Sequence, residues 1–117
     1  MNHVIETKLI RTVKLVATLL SQREYSCLAE LAKNNRLSET EIRSAISDYG
    51  RTVILPPDSD FNRIDVVEIE GSHPPRFSVV FHLWTLEEGE SDLSVELTCF
   101  DKGESEFGFE LDNIHVL

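Results

Sequence analysis

Positive charge is scarce in this chain, and long apolar runs are missing altogether. Eleven Lys and Arg face twenty-one Asp and Glu, a formal net charge of −10. Non-specific binding to nucleic acid or to an anionic membrane surface needs a basic patch, so no nucleic acid and no membrane partner is expected. No stretch approaches the ~18 apolar residues of a bilayer-spanning helix. Near the N-terminus, Glu6, Lys8, Arg11 and Lys14 interrupt the uncharged run that a signal peptide would require. The expected localisation is cytoplasmic. Cysteine is nearly absent too. Cys27 and Cys99 are the two there are, which excludes a disulfide scaffold. Both sit among apolar residues and read as small buried hydrophobes.

Ordered chemistry is also lacking. His3, His73, His82 and His115 have no metal-motif spacing and no usefully placed cysteine. Cys27 would need a base and an electropositive setting to act as a nucleophile. Glu87, Glu88, Glu90 and Asp92 surround Gly89 without the ligand order of an EF-hand, and read as a solvated hairpin tip. Asp58 and Asp60 read as turn residues. The glycines form no phosphate-binding loop. Carboxylate pairs occur throughout so acidic a chain and carry no catalytic signal without geometry. The expectation is a protein with no catalytic residues, no metal and no cofactor.

What is present is a chain of 117 residues with 41% hydrophobic composition, enough for one domain, 1–117, with its own core. Its charge divides unevenly. Residues 1–50 carry seven basic and six acidic side chains, net +1; residues 51–117 carry four basic and fifteen acidic ones, net −11. Secondary-structure patterning divides at the same place. Ile5, Leu9, Val13, Val16 and Leu20 recur at helical spacing. Ser21 and Glu24 have capping-box spacing and predict the start of a second helix, with Tyr25, Leu28, Leu31 and Ala32 as its apolar face. Ser38 and Glu41 predict a third, with Ile42, Ala45, Ile46 and Tyr49 as its stripe and Gly50 closing it. Pro56-Pro57 and Asp58-Ser59-Asp60 then end regular structure.

Strands follow. Ile64–Glu70 is rich in β-branched residues, and Gly71–Pro75 reads as a loop. Phe77, Val79, Phe81 and Leu83 alternate, as do Leu93, Val95, Leu97 and Cys99. Asp101-Lys102-Gly103 signals a hairpin. Phe107, Phe109 and Leu111 continue the inward row, and a β-bulge at Asp112-Asn113 would return Ile114 and Val116 to it. The fold class is α+β: three N-terminal helices (1–50) packed on a twisted four-stranded antiparallel meander (51–117). By this parity Ser78, Val80, His82, Trp84, Ser94, Glu96, Thr98, Phe100, Glu106, Gly108, Glu110 and Asp112 face away from the helices, joined by Glu68 and Glu70. A solvated face and a partner surface are both open readings of it. A third possibility is that Trp84 turns inward as core.

The segments Asp65–Gly71, Pro74-Pro75, Leu83-Trp84-Thr85, Glu87-Glu88-Gly89, Ser91-Asp92-Leu93, Glu96-Leu97-Thr98 and Leu111–Leu117, together with the Asp48–Thr52 junction, resemble a small uncharacterised bacterial domain family. The resemblance covers about two thirds of the chain and implies no activity. Helices followed by a twisted meander are also similar to the cystatin-like and NTF-like cone folds, which serve enzymes, adaptors and binders alike. By type alone, the chain resembles immunity proteins of contact-dependent growth inhibition and other toxin systems. That likeness implies a basic protein partner, a cognate toxin domain such as a nuclease, drawn to an acidic surface. The residues expected to contact it are Glu68, Glu70, Trp84, Glu87, Glu88, Glu96, Glu110 and Asp112. The alternatives are a small-ligand binder with a pocket in a curved sheet, and an adaptor.

Overall fold

The computed structural model describes residues 2–34 and 36–117. Three helices come first: α1 (His3–Ser21), α2 (Tyr25–Leu31) and α3 (Glu39–Tyr49). Asn2 caps α1 by accepting from the Ile5 amide at 2.8 Å. Leu9, Thr12, Val13, Val16, Ala17 and Leu20 form its buried face. The capping box at Ser38 and Glu41 is present on both sides, and Gly50 closes α3 with φ 75°, in the left-handed region that glycine enters without steric cost. The box expected at Ser21 is absent. Helix α1 runs through Ser21, whose hydroxyl donates to the Thr18 carbonyl, and the chain reverses at Arg23 with φ 59° before α2 begins. No helix among the described residues is long and apolar enough to cross a membrane.

The sheet has five strands: β1 (Val53–Ile54), β2 (Asp65–Ile69), β3 (Arg76–Thr85), β4 (Gly89–Phe100) and β5 (Gly108–Val116). All pairings are antiparallel, and β2 to β5 form the expected four-stranded meander. The fifth strand, β1, was not expected. It and β2 share one edge of β3: β1 pairs with Trp84 and Thr85, β2 with Arg76 to Val80. Between them the chain forms a 3₁₀ turn, Asp58–Arg63, instead of the irregular link that Pro56-Pro57 and the aspartates suggested. Its Phe61 is buried against the core.

The inward rows of β3 and β4 are buried as their alternation requires: Phe77, Val79 and Phe81 face Cys99, Leu97 and Val95, and Leu83 and Leu93 are buried where the register shifts between His82 and Trp84. In β5 the register shifts by one residue. Leu97 pairs with Leu111 and Glu96 with Asn113, so Asp112 is the extra residue of a bulge. The bulge keeps Ile114 inside and returns Val116 to the core side opposite Leu93, where it stands at the rim beside α3 and is 57% exposed. Thr12 ties the two layers together. Its hydroxyl donates to the Lys8 carbonyl at 2.8 Å and accepts from the Phe107 amide at 2.8 Å, with no exposure at all. Phe107 also stacks on Phe77, ring centres 5.8 Å apart.

Candidate partner-binding surface

Seven of the eight residues expected to meet a partner fall into three groups, and Glu96 stands apart. Glu110 and Asp112 stand on the outer face of β5, as their parity requires. Glu110 is only 5% exposed. Its carboxylate accepts from Arg36 Nε at 3.1 Å, from Arg76 at 2.9 Å and from the Asn34 amide. Asp112 lies 3.2 Å from the same Arg36 and accepts from the Thr98 hydroxyl at 2.6 Å. Two guanidinium groups therefore balance this pair of carboxylates, and their charge does little at a distance. The arrangement is a clasp: it fastens the α2–α3 connection onto the sheet, beside the bond from the Lys33 amide to the Phe109 carbonyl at 2.8 Å.

Glu87, Glu88 and Trp84 belong to the β3–β4 hairpin, and they bind back to the molecule. Glu87 accepts from the Thr52 amide at 2.8 Å and from its hydroxyl at 2.9 Å. Those bonds, the amide's first, hold its carboxyl below the usual glutamate range. Glu88 accepts from Tyr49 Oη at 2.9 Å and from Thr85 Oγ1 at 3.1 Å. Desolvation and then the Glu88 hydrogen bond raise the Tyr49 phenol above its ordinary value. Trp84 is half-buried. It donates from Nε1 to Asp60 at 2.8 Å, and its ring covers Gly89. Phe100 likewise covers Gly108 and carries Arg76 above it, the guanidinium 5.1 Å from the ring centre. Neither aromatic stands free as an anchor. Glu96, on the outer face of β4, lies against His115 Nε2.

Glu68 and Glu70 do not join the outer face as expected. Glu68 pairs with the inward Phe77, so it points to the helical side beyond the edge of the core, and Glu70 lies past the end of β2. The outer face of β2 belongs instead to Asp65, Val67 and Ile69. Val67 is 66% exposed and Ile69 38%. A third exposed apolar residue, Leu86, sits at the tip of the β3–β4 hairpin at 71%. The reading from sequence missed all three. The signal for β2 was available: once Val66 is placed inward opposite Val79, Val67 must face out.

Lys8 is engaged with Asp101 and Lys14 with Asp58, so cations of α1 neutralise carboxylates of the acidic half. Arg63 joins Glu90 at 2.8 Å and Asp60 at 3.5 Å. Among the described residues, Glu6, Glu24, Glu30, Glu41, Asp48, Asp65, Glu68, Glu70, Glu87, Glu88, Asp92 and Glu106 have no ion-pair partner. Asp65, Glu68 and Glu70 lie on β2 and its flank, Glu87, Glu88 and Asp92 on the β3–β4 hairpin, and Glu24, Glu30, Glu41 and Asp48 on or beside α2 and α3.

His82 and Cys99 are both held by their surroundings. His82 Nδ1 meets the Ser91 carbonyl at 2.9 Å and Ser94 Oγ at 3.2 Å. A carbonyl accepts only, so Nδ1 carries the proton and cannot take one from Ser94. Ser94 is itself fully buried. Burial, with Asp112 adding to it, pushes the Cys99 thiol up to about 12, leaving it protonated and unreactive at neutral pH. Cys27 is half-buried rather than fully so. No group of three or more potential metal ligands occurs among the described residues.

A family model described as a domain of unknown function (DUF7668) matches residues 17–117, and the chain belongs to that family. No curated protein and no solved structure matches it.

Proposed function

We propose that this chain is a non-catalytic, cytoplasmic binding protein of the immunity type, which neutralises a toxin domain, a basic nuclease above all, by occupying it. The observation that carries this reading is the company kept by the unpartnered carboxylates. At one end of β3, Asp65, Glu68 and Glu70 flank the exposed Val67 and Ile69; at its other end Glu87 and Glu88 flank the exposed Leu86. Apolar contact inside an acidic field suits a basic protein surface: the field speeds encounter and the buried apolar area slows release. The bacterial setting comes from the sequence resemblance.

The test is to express whichever toxin domain a neighbouring gene encodes and to measure its association with this chain. Its rate should fall markedly as ionic strength rises from about 0.01 to 0.15 M, because the screening length shortens from roughly 30 to 8 Å. A lysine or arginine substitution among the unpartnered carboxylates should slow it further. Failure of such a domain to bind, or a rate indifferent to salt, overturns the reading.

One observation favours the alternative of a small-ligand binder. A cleft of about 280 Å³ between α1, α3 and β1 is rimmed by Arg23, Arg43 and Arg51 above the apolar floor of Leu20 and Ile46. That chemistry suits an anionic ligand. Titration with inorganic phosphate, followed at the arginine side chains, separates this reading from the first.

A further inference from the structure

We infer that β2 is the docking edge of the molecule, where an extended segment of a basic partner adds to the sheet as a further strand. The inference rests on the protein-binding reading above and names the surface and the mode.

The first ground is the open backbone. β2 pairs with β3 alone, and among the described residues no backbone group of residues 65–70 bonds to any other element. Soluble proteins protect such edges with lysines, prolines, bulges or a covering element. The opposite edge of this sheet shows two of those devices, the bulge at Asp112 and the Lys33–Phe109 bond. β2 has neither bulge nor covering element, its register is unbroken over five residues, and it contains neither proline nor base; its protection is negative charge, Asp65 and the inward Glu68, which repels a like strand but not a basic one.

The second ground is that both faces of an added strand would find apolar surface. On the outer face stand Val67 and Ile69. On the inner face a groove of about 230 Å³ runs between α1 and β2, lined by Leu9, Ile10, Ile64 and Val66 with Glu6 at its side. Strand addition takes its affinity from main-chain bonds and its specificity from side-chain sites at alternate positions, and both are present.

The third ground selects the occupant. Glu6, Asp65, Glu68 and Glu70 have no ion-pair partner among the described residues, and residues 64–75 contain no Lys or Arg. Arg76, opposite Ile69, is engaged with Glu110. A second copy of this chain would bring its own carboxylates against these, with no cation between. An extended segment that alternates apolar residues with lysine or arginine meets every feature of the edge.

The experiment uses the full chain, isotope-labelled, with a blocked peptide of about nine residues alternating valine and lysine, and a valine–glutamate peptide as counterpart. The lysine peptide should shift the backbone amides of residues 65–69 and slow their hydrogen exchange. The glutamate peptide should bind at least about tenfold more weakly, as should the lysine peptide to the variant Val67→Lys, which places a protective charge on the edge. Val67 is exposed, so circular dichroism should show the variant folded. Shifts confined to residues 86–92, equal binding of the two peptides, or unprotected β2 amides would overturn the inference. So would dimerisation through β2 without peptide, since the occupant would then be a second copy. A toxin domain that binds Val67→Lys as fast and as tightly as the wild type overturns the edge but leaves the binding reading intact. Absence of any basic protein partner, with the lysine peptide still seated on β2, does the reverse.

Discussion

Thr12 bears on stability more than its small side chain suggests. Replacement by valine keeps the volume but leaves the buried Phe107 amide without an acceptor. The expected cost is about 1–3 kcal/mol, measured by urea denaturation, and serine should recover most of it. Glu87 offers a pH signature. Its carboxyl titrates lower in the folded chain than in the unfolded one. The stabilisation is therefore complete above the ordinary glutamate value and lost as pH falls through the folded one. Glu87→Gln should flatten that part of the acid limb of the stability profile. The same bonds show that the hairpin tip is not the purely solvated loop that its run of carboxylates suggested, because Thr52 hangs on Glu87. Among the thiols, Cys99 should resist a thiol reagent until the chain unfolds, while Cys27 reacts earlier; a time course with a chromogenic disulfide checks this. Glu110 illustrates what single residues hide. In the sequence it is one carboxylate among many, and nothing local shows that Arg36 and Arg76, 74 and 34 positions away, converge on it.

At the scale of elements, β5 is a strand and not a loose tail. Phe109→Ala should cost about 3–5 kcal/mol, since the ring is buried in the core. Gly108→Ala tests the outer face, where a Cβ would come within 2.5 Å of the Phe100 ring. The ring must turn away and carry Arg76 with it, for an expected loss of about 1–3 kcal/mol in the same denaturation assay. The strands β3, β4 and β5 were legible because each alternates against one buried layer, so apolar residues mark a single face. β2 was legible as a strand but its facing was not, because Val66, Val67 and Ile69 occupy both of its faces and conceal the parity that displaced Glu68 and Glu70. Two residues of β1 carry no periodicity at all. The second capping box failed for a different reason. Ser21 and Glu24 have the spacing, but α1 is held helical through Ser21 by the burial of Ala17 and Leu20, and the cap geometry has no room to form.

For the whole molecule, the division between a nearly neutral helical half and an acidic sheet half was plain from charge counting. Which charges remain free was not, since Lys8 and Lys14 cross from the first half to the second. The free carboxylates repel one another, and exposed ion pairs contribute little that salt could remove. The melting temperature should therefore rise between about 0.01 and 0.15 M salt, as the screening length falls toward roughly 8 Å. A fall measured by calorimetry would show that the inter-half pairs outweigh the repulsion.

The bulge at Asp112 makes one position in the sheet tolerant of a change in chain length. Elsewhere in a strand, loss of a single residue turns every later side chain to the opposite face. Here the extra residue is the one without a cross-strand partner. Excising Asp112 would leave Leu111 opposite Leu97 and Asn113 opposite Glu96, with Ile114 still inward. That shortened chain should fold, less twisted at its edge and without the Arg36 contact, whereas removal of Glu110 should not be tolerated. A family of such proteins can thus vary in length by one residue at this point without altering which side chains form the core.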